Sequence, residues 1–162
     1  MMPPQIGDPA PSFTLPTQHG VPICLCSLLR GGTPLLLIAF PGRLAHAAAH
    51  ARILALARLA PDFPAARFLV IVPHRPDEAK RYVEEVGTPF DLLCDDDGHV
   101  TAAYGVPRRF ALRRDNRPGL FGVDAAGVIR YRRLDSWDDS AALAVAIAEI
   151  DAAQKTNRRA GS

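Results

Sequence analysis

Apolar and polar residues alternate along this chain in blocks that imply both strands and helices. Residues 34–40 are a continuous apolar run between Gly31-Gly32 and Pro41-Gly42, and residues 67–72 form a second such run. Runs of this length, bounded by turn formers, predict strands buried on both faces. Between them, residues 43–60 are dense in Ala and Leu and stop at Pro61, the pattern of a helix. Residues 77–86 alternate charged and apolar residues at helical spacing. Glu78, Ala79, Tyr82, Val83 and Val86 share one face, and Gly87 supplies the stop. A short strand is expected at 90–94 and a short helix at 99–104, closed by Gly105. Residues 120–123 and 128–133 predict a hairpin around Asp124-Ala-Ala-Gly127. The last helix is expected over 138–153, capped by Asp138 or Ser136. Upstream of all these, two short strands at 12–15 and 22–25 fit around Gln18-His19-Gly20.

Strands that alternate with helices imply parallel neighbours in a layered sheet, and the closing hairpin adds antiparallel ones. The expected fold class is α/β: a mixed central sheet with helices on both faces and an N-terminal β-hairpin. No internal repeat or interdomain linker interrupts the chain. One domain is expected over residues 1–154, with residues 155–162 as a flexible polar tail.

Composition adds mostly exclusions. Of 162 residues, 48% are hydrophobic and 22% charged, as in a globular protein, and the net charge is only +2. No global pull toward nucleic acid or membrane follows. Arg108, Arg109, Arg113, Arg114, Arg117, Arg130, Arg132 and Arg133 cluster late in the chain, without the interleaved aromatic residues of a base-stacking surface. They read as a solvated surface, with an anion- or protein-docking patch as the alternative. The N-terminus has neither a basic nor an apolar leader pattern, so a cytoplasmic location is expected. In that reducing setting Cys24, Cys26 and Cys94 are expected as thiols. Cys24 and Cys26 are two apart, so in a strand they share a face, which is poor placement for a disulfide. Their Cys-x-Cys spacing has no second pair, and a zinc ribbon is unsupported.

Five local stretches, in order, resemble the peroxiredoxin family (alkyl hydroperoxide reductase/thiol-specific antioxidant). They are Ile6-Gly-Asp-Pro-Ala-Pro-Ser-Phe13, His19-Gly-Val-Pro-Ile-Cys-Leu-Cys-Ser-Leu-Leu-Arg-Gly31, Phe90-Asp-Leu-Leu-Cys-Asp-Asp-Asp-Gly98, Ala103-Tyr-Gly-Val106 and Arg117-Pro-Gly-Leu-Phe-Gly-Val-Asp-Ala-Ala-Gly-Val-Ile129. The resemblance spans roughly residues 5 to 150 and implies a thioredoxin-like three-layer sandwich. It also implies a cis bond at Arg117-Pro118. The activity implied is that of an antioxidant oxidoreductase, a thiol-dependent peroxidase.

The family's chemical motif is Pro-x-x-x-Thr/Ser-x-x-Cys after the first core strand. Counting from Pro41 puts Ala45 at the hydroxyl position and Ala48 at the thiol position; a looser register gives His46 and Ala49. Residues 27 to 93 contain no cysteine in either register. Peroxide reduction by this route needs a thiolate, stabilised by a helix N-terminus and a guanidinium, for which Arg117 matches the family's late arginine. Alanine cannot attack. The resemblance therefore implies a redox scaffold with a degenerate site at Pro41, Ala45, Ala48 and Arg117, a weak or inactive peroxidase retained for binding.

Two rival readings remain open at this stage. Cys24, Cys26 or Cys94 are fallback thiols for an active thiol oxidoreductase, although Asp95-Asp96-Asp97 beside Cys94 disfavours its thiolate. Alternatively, His46 and His50 share a helix face, and with His74 form a candidate metal or partner-binding set. A related copper-handling thioredoxin-like family (the Sco type) has the same four-residue spacing with cysteine ligands. No cofactor is expected. The expected partners are peroxide or a small anion and a protein partner or second copy of the chain, with no nucleic acid and no membrane.

Overall fold

A computed structural model describes residues 3–106, 118–134, 137 and 140–160. Strands β1 (Thr14–Pro16) and β2 (Pro22–Cys24) form an antiparallel hairpin, followed by helix α1 (Leu25–Arg30). The main sheet contains β3 (Leu35–Phe40), β4 (Ala66–Val72), β5 (Leu92–Cys94), β6 (Gly119–Asp124) and β7 (Ile129–Arg133). Its order is β5-β4-β3-β6-β7. β3 and β4 are parallel neighbours, as are β4 and β5, whereas β6 runs antiparallel to both β3 and β7. The helices are α2 (Ala47–Leu59), α3 (Pro76–Val86), α4 (His99–Ala103) and α5 (Ser140–Ala160), with a 3-10 turn at Ala60–Asp62. This is the expected thioredoxin-like arrangement of a mixed sheet with a hairpin at its start.

The alternation of side chains along β3 explains the layers. Leu35, Leu37 and Ala39 point to one face and pack with Ile53 and Leu56 of α2, Ala79 of α3, and Leu143 and Ile147 of α5. Leu36, Ile38 and Phe40 point to the other, where Phe13, Leu15, Leu25, Val100 and Tyr104 meet them. Every residue of β3 is buried, as its unbroken apolar run predicts for a central strand covered on both sides. On the hairpin side the rings of Phe40, Tyr104 and Phe121 contact one another, and the Tyr104 hydroxyl donates to the Pro11 carbonyl at 2.7 Å. That bond ties the N-terminal segment down onto the sheet.

Three boundaries in particular differ from the sequence pattern. The second strand stops at Cys24 because the chain turns helical at Leu25, so α1 replaces what looked like more strand. Residues 43–46 are a turn, and α2 starts only at Ala47. The Arg43 carbonyl accepts the His46 N–H at 3.0 Å there, which closes a turn before the helix. α5 continues to Ala160, past the Ala153 expected, through residues such as Gln154, Lys155, Arg158 and Arg159 with good helix propensity. The caps expected at Asp138 or Ser136 lie outside the described residues.

Candidate functional site

The corner that the family resemblance singles out is where the central strand hands over to its following helix. β3 ends at Phe40, and Pro41 and Gly42 are buried at the corner. Gly42 has φ 101°, a left-handed value that a side chain would resist, and it allows the sharp exit from the strand. Three hydrogen bonds then fix the corner. The Leu44 N–H donates to His74 Nε2 at 3.0 Å, joining the loop to the residue after β4. The Arg52 guanidinium donates to the Pro41 carbonyl at 2.9 Å, and the Trp137 indole N–H donates to the Arg52 carbonyl at 3.1 Å. One chain of contacts thus runs from the fully buried Trp137, just ahead of α5, through α2 to the corner.

The first turn of α2 carries His46 as N-cap residue, then Ala47, Ala48 and Ala49. His46 makes no side-chain cap, and no acidic residue lies in that turn. Ala45, Ala47 and Ala48 are exposed, while Ala49 is buried. His50 is half-buried, with Nδ1 at 2.6 Å from the Tyr82 hydroxyl of α3. Burial holds the Tyr82 phenol above its ordinary pKa, so it keeps its proton. Because His74 Nε2 accepts from the backbone, its remaining proton sits on Nδ1, which faces Glu78 at 3.4 Å. The Arg75 N–H that Glu78 accepts, and then His74, hold this carboxyl below its usual range.

The three histidines singled out from sequence therefore lie around one corner without forming a ligand set. Among the described residues, ligand atoms from three candidate groups come within 4.8 Å of one another only at Asp95, Asp97 and His99. His74 there is committed to Leu44 and Glu78, and His50 to Tyr82. Asp95 of the other cluster is also committed: it accepts from the Val100 N–H, the Thr101 N–H and the Thr101 hydroxyl, and so ties down the start of α4. His99 is held above its usual pKa by its hydrogen bond to Asp97.

The sulfur atoms are arranged differently from the expectation. Cys24 and Cys26 are joined as a disulfide, not held as two thiols. The same-face argument assumed a strand through both residues. β2 instead ends at Cys24, which is extended at φ −105°, ψ 130°, and Cys26 already belongs to α1. That change of backbone brings the two Cα atoms to 5.4 Å, an ordinary spacing for a bridge. Cys94 is a free, buried thiol at the end of β5. Its burial, then Asp96, Asp77 and Glu78, push its pKa up to about 11. Arg117 and the Arg117-Pro118 bond lie outside the described residues, as do Arg108, Arg109, Arg113 and Arg114.

Comparisons with known proteins identify the family and the fold. The model of the AhpC/TSA family matches residues 6–132, most of the chain. The chain belongs to the AhpC/TSA family. Its fold is that of peroxiredoxins. The structure of peroxidoxin BcpB from Mycobacterium tuberculosis superposes with a TM-score of 0.75 at 24% identity, covering 88% of this chain and 95% of that one. A thiol peroxidase from Chromobacterium violaceum gives 0.74 at 24% identity, covering 91% and 88%. A putative thiol:disulfide interchange protein DsbE from Chlorobium tepidum gives 0.75 at 18% identity, covering 91% and 99%. No curated protein matches this AhpC/TSA chain in sequence. None of its described helices is long and apolar enough to cross a membrane.

Sequence reasoning missed the Trp137–Arg52–Pro41 connection and the His50–Tyr82 pair. The helical face through Tyr82 was readable from its spacing. Nothing local to Tyr82 indicates that its hydroxyl meets a histidine 32 residues earlier.

Proposed function

We propose that this AhpC/TSA-family protein is a degenerate thiol peroxidase, weak or inactive toward peroxides and retained for binding. The observation that carries the reading is the first turn of α2. Its exposed side chains are those of Ala47 and Ala48, with Ala45 just before them. In the register counted from Pro41, Ala45 and Ala48 stand where the family's hydroxyl and thiol belong. A methyl group neither ionises nor attacks an O–O bond, so the nucleophilic step has no agent there. Cys94 is a poor substitute, since a thiol with a pKa of about 11 is almost wholly protonated at neutral pH.

Binding is a separate matter from turnover. The start of α2 has no side-chain cap and no carboxylate, so the N–H groups of its first turn favour a small anion or the oxygen of a peroxide. A protein partner at the same corner is compatible with the exposed alanines.

The test is peroxide consumption by the purified protein with a thiol reductant. The expected rate is near the background of the reductant alone. Ala48→Cys with Ala45→Thr is expected to restore measurable turnover if the donors around the corner survive. Rapid sulfenic acid formation on the unmodified chain, lost in Cys94→Ser, would show that the nucleophile has moved and would end this reading.

A further inference from the structure

The pair Cys24–Cys26 sits away from the corner, in the layer on the opposite face of the sheet. It is bonded across a single intervening residue. We propose that it is a displaced thiol–disulfide exchange site, which accepts two electrons from a dithiol and returns them to a second disulfide.

The bond is a weak staple. A bridge across one residue removes little freedom from the unfolded chain, because loop-closure entropy grows with the length enclosed. The segment is also held without it. Thr14 pairs with Cys24 and Leu15 with Ile23 across the hairpin. The Leu25 N–H donates to the Phe13 carbonyl at 3.0 Å, and the Leu25 side chain, 2% exposed, is anchored among Phe13, Leu15 and Tyr104. The backbone on which both sulfurs are mounted therefore stays in place whether or not they are joined. A Cα separation of 5.4 Å suits the bridge and equally leaves room for two thiols.

Access and charge point the same way. Cys24 and Cys26 are only half-buried, and Val21, 53% exposed, and Pro22 present a small apolar edge immediately before them. No Asp or Glu occurs between Asp8 and Asp62, so no carboxylate on this stretch of chain opposes a thiolate. Cys94 has the reverse surroundings and takes no part.

A thiolate of the incoming dithiol attacks one sulfur of the pair. A mixed disulfide forms, the Cys24–Cys26 bond breaks, and its electron pair leaves on the other sulfur, which takes up a proton. The second thiol of the reductant then attacks the mixed disulfide, leaves as the oxidised cyclic disulfide and frees the first cysteine. Two electrons and two protons have passed to Cys24 and Cys26. The reverse steps return them to another disulfide.

The test uses the whole chain under native conditions, equilibrated anaerobically in mixtures of reduced and oxidised dithiothreitol. Free thiols are trapped by alkylation and counted by mass. The expected result is a reversible change of two thiols, reached from both directions within minutes, with the same far-ultraviolet circular dichroism in both states. Cys24→Ser and Cys26→Ser should abolish it, and Cys94→Ser should leave it intact. The chain should also accelerate reduction of oxidised glutathione by dithiothreitol at least 10-fold, and either hairpin variant should lose that acceleration. A bond that opens only in denaturant, cysteines that stay as thiols in the oxidised mixture, or no acceleration would each sink the proposal. Peroxide consumption on the same preparations reads the degenerate-peroxidase proposal separately, so the two can fail independently.

Discussion

Cys94 packs on one face of the main sheet, the Cys24–Cys26 pair flanks Leu25, which packs on the other, and their surroundings differ. Cys94 ends a central-sheet strand, is buried against the α2 and α3 layer, and faces Asp96, Asp77 and Glu78. Cys24 and Cys26 are half-buried at a strand-to-helix junction, in a stretch of chain without a carboxylate. The fold is common to both. Burial and nearby charge, not the fold, decide which sulfur can become a thiolate.

The largest expected effect separates the pair's chemistry from the hairpin's stability. Leu25→Ala should destabilise the protein by about 2–5 kcal/mol, the range for truncating a buried leucine. Reducing the disulfide should cost no more than about 1.6 kcal/mol, by the loop-entropy scaling for a closed loop of three residues. Urea denaturation of the wild type with and without reductant, and of the variant, measures both. If reduction costs more than Leu25→Ala, the bridge is structural after all.

Alkylation comes next. At neutral pH a thiol with a pKa of about 11, against 9.0 unperturbed, holds roughly 100-fold less thiolate. In the reduced native protein, iodoacetamide should modify Cys94 at least about 100-fold more slowly than Cys24 or Cys26. Peptide mapping of a time course gives all three rates, and comparable rates would erase the contrast.

The same shift has a smaller signature in stability. The folded-state pKa of Cys94 lies above its unfolded value, so ionisation of the unfolded chain comes first as pH rises. Stability is therefore full below about pH 9, where both states keep the proton, and falls between about pH 9 and 11 as the unfolded thiol ionises. A two-unit shift corresponds to about 2–3 kcal/mol. The wild type should therefore lose that much more stability than Cys94→Ala across this window, and parallel pH profiles would contradict it.

The smallest effect is expected at the corner itself. Tyr82→Phe removes the hydroxyl from His50 and should cost about 1 kcal/mol, with peroxide consumption left at background. Thermal unfolding and the peroxide assay check the two halves.

Much of the architecture was legible in the sequence because its signals are local. The apolar runs of β3 and β4 and the Gly87 stop of α3 each speak for their own element. The turn before α2 and the start of α1 were not, because alanine-rich and leucine-rich segments suit several conformations and tertiary contacts decide among them. Leu44 is held in the turn by His74, thirty residues away. That residues 27 to 93 hold no cysteine was plain from the sequence alone. The disulfide was hidden, because its geometry depends on a change of backbone between Cys24 and Cys26 that neither residue announces.

The chain contains one tryptophan, and it occupies the joint between the last helix and α2. Trp137 is 0% exposed, and its indole nitrogen is bonded to the residue that clamps the Pro41 corner. The protein thus carries a built-in optical gauge. Its tryptophan emission has a single source, set by the docking of α5 on α2 and by whatever settles where β3 turns. Titrations of anions or protein partners at that corner can be followed without a label, while events at the hairpin on the far side of the sheet should leave the signal still.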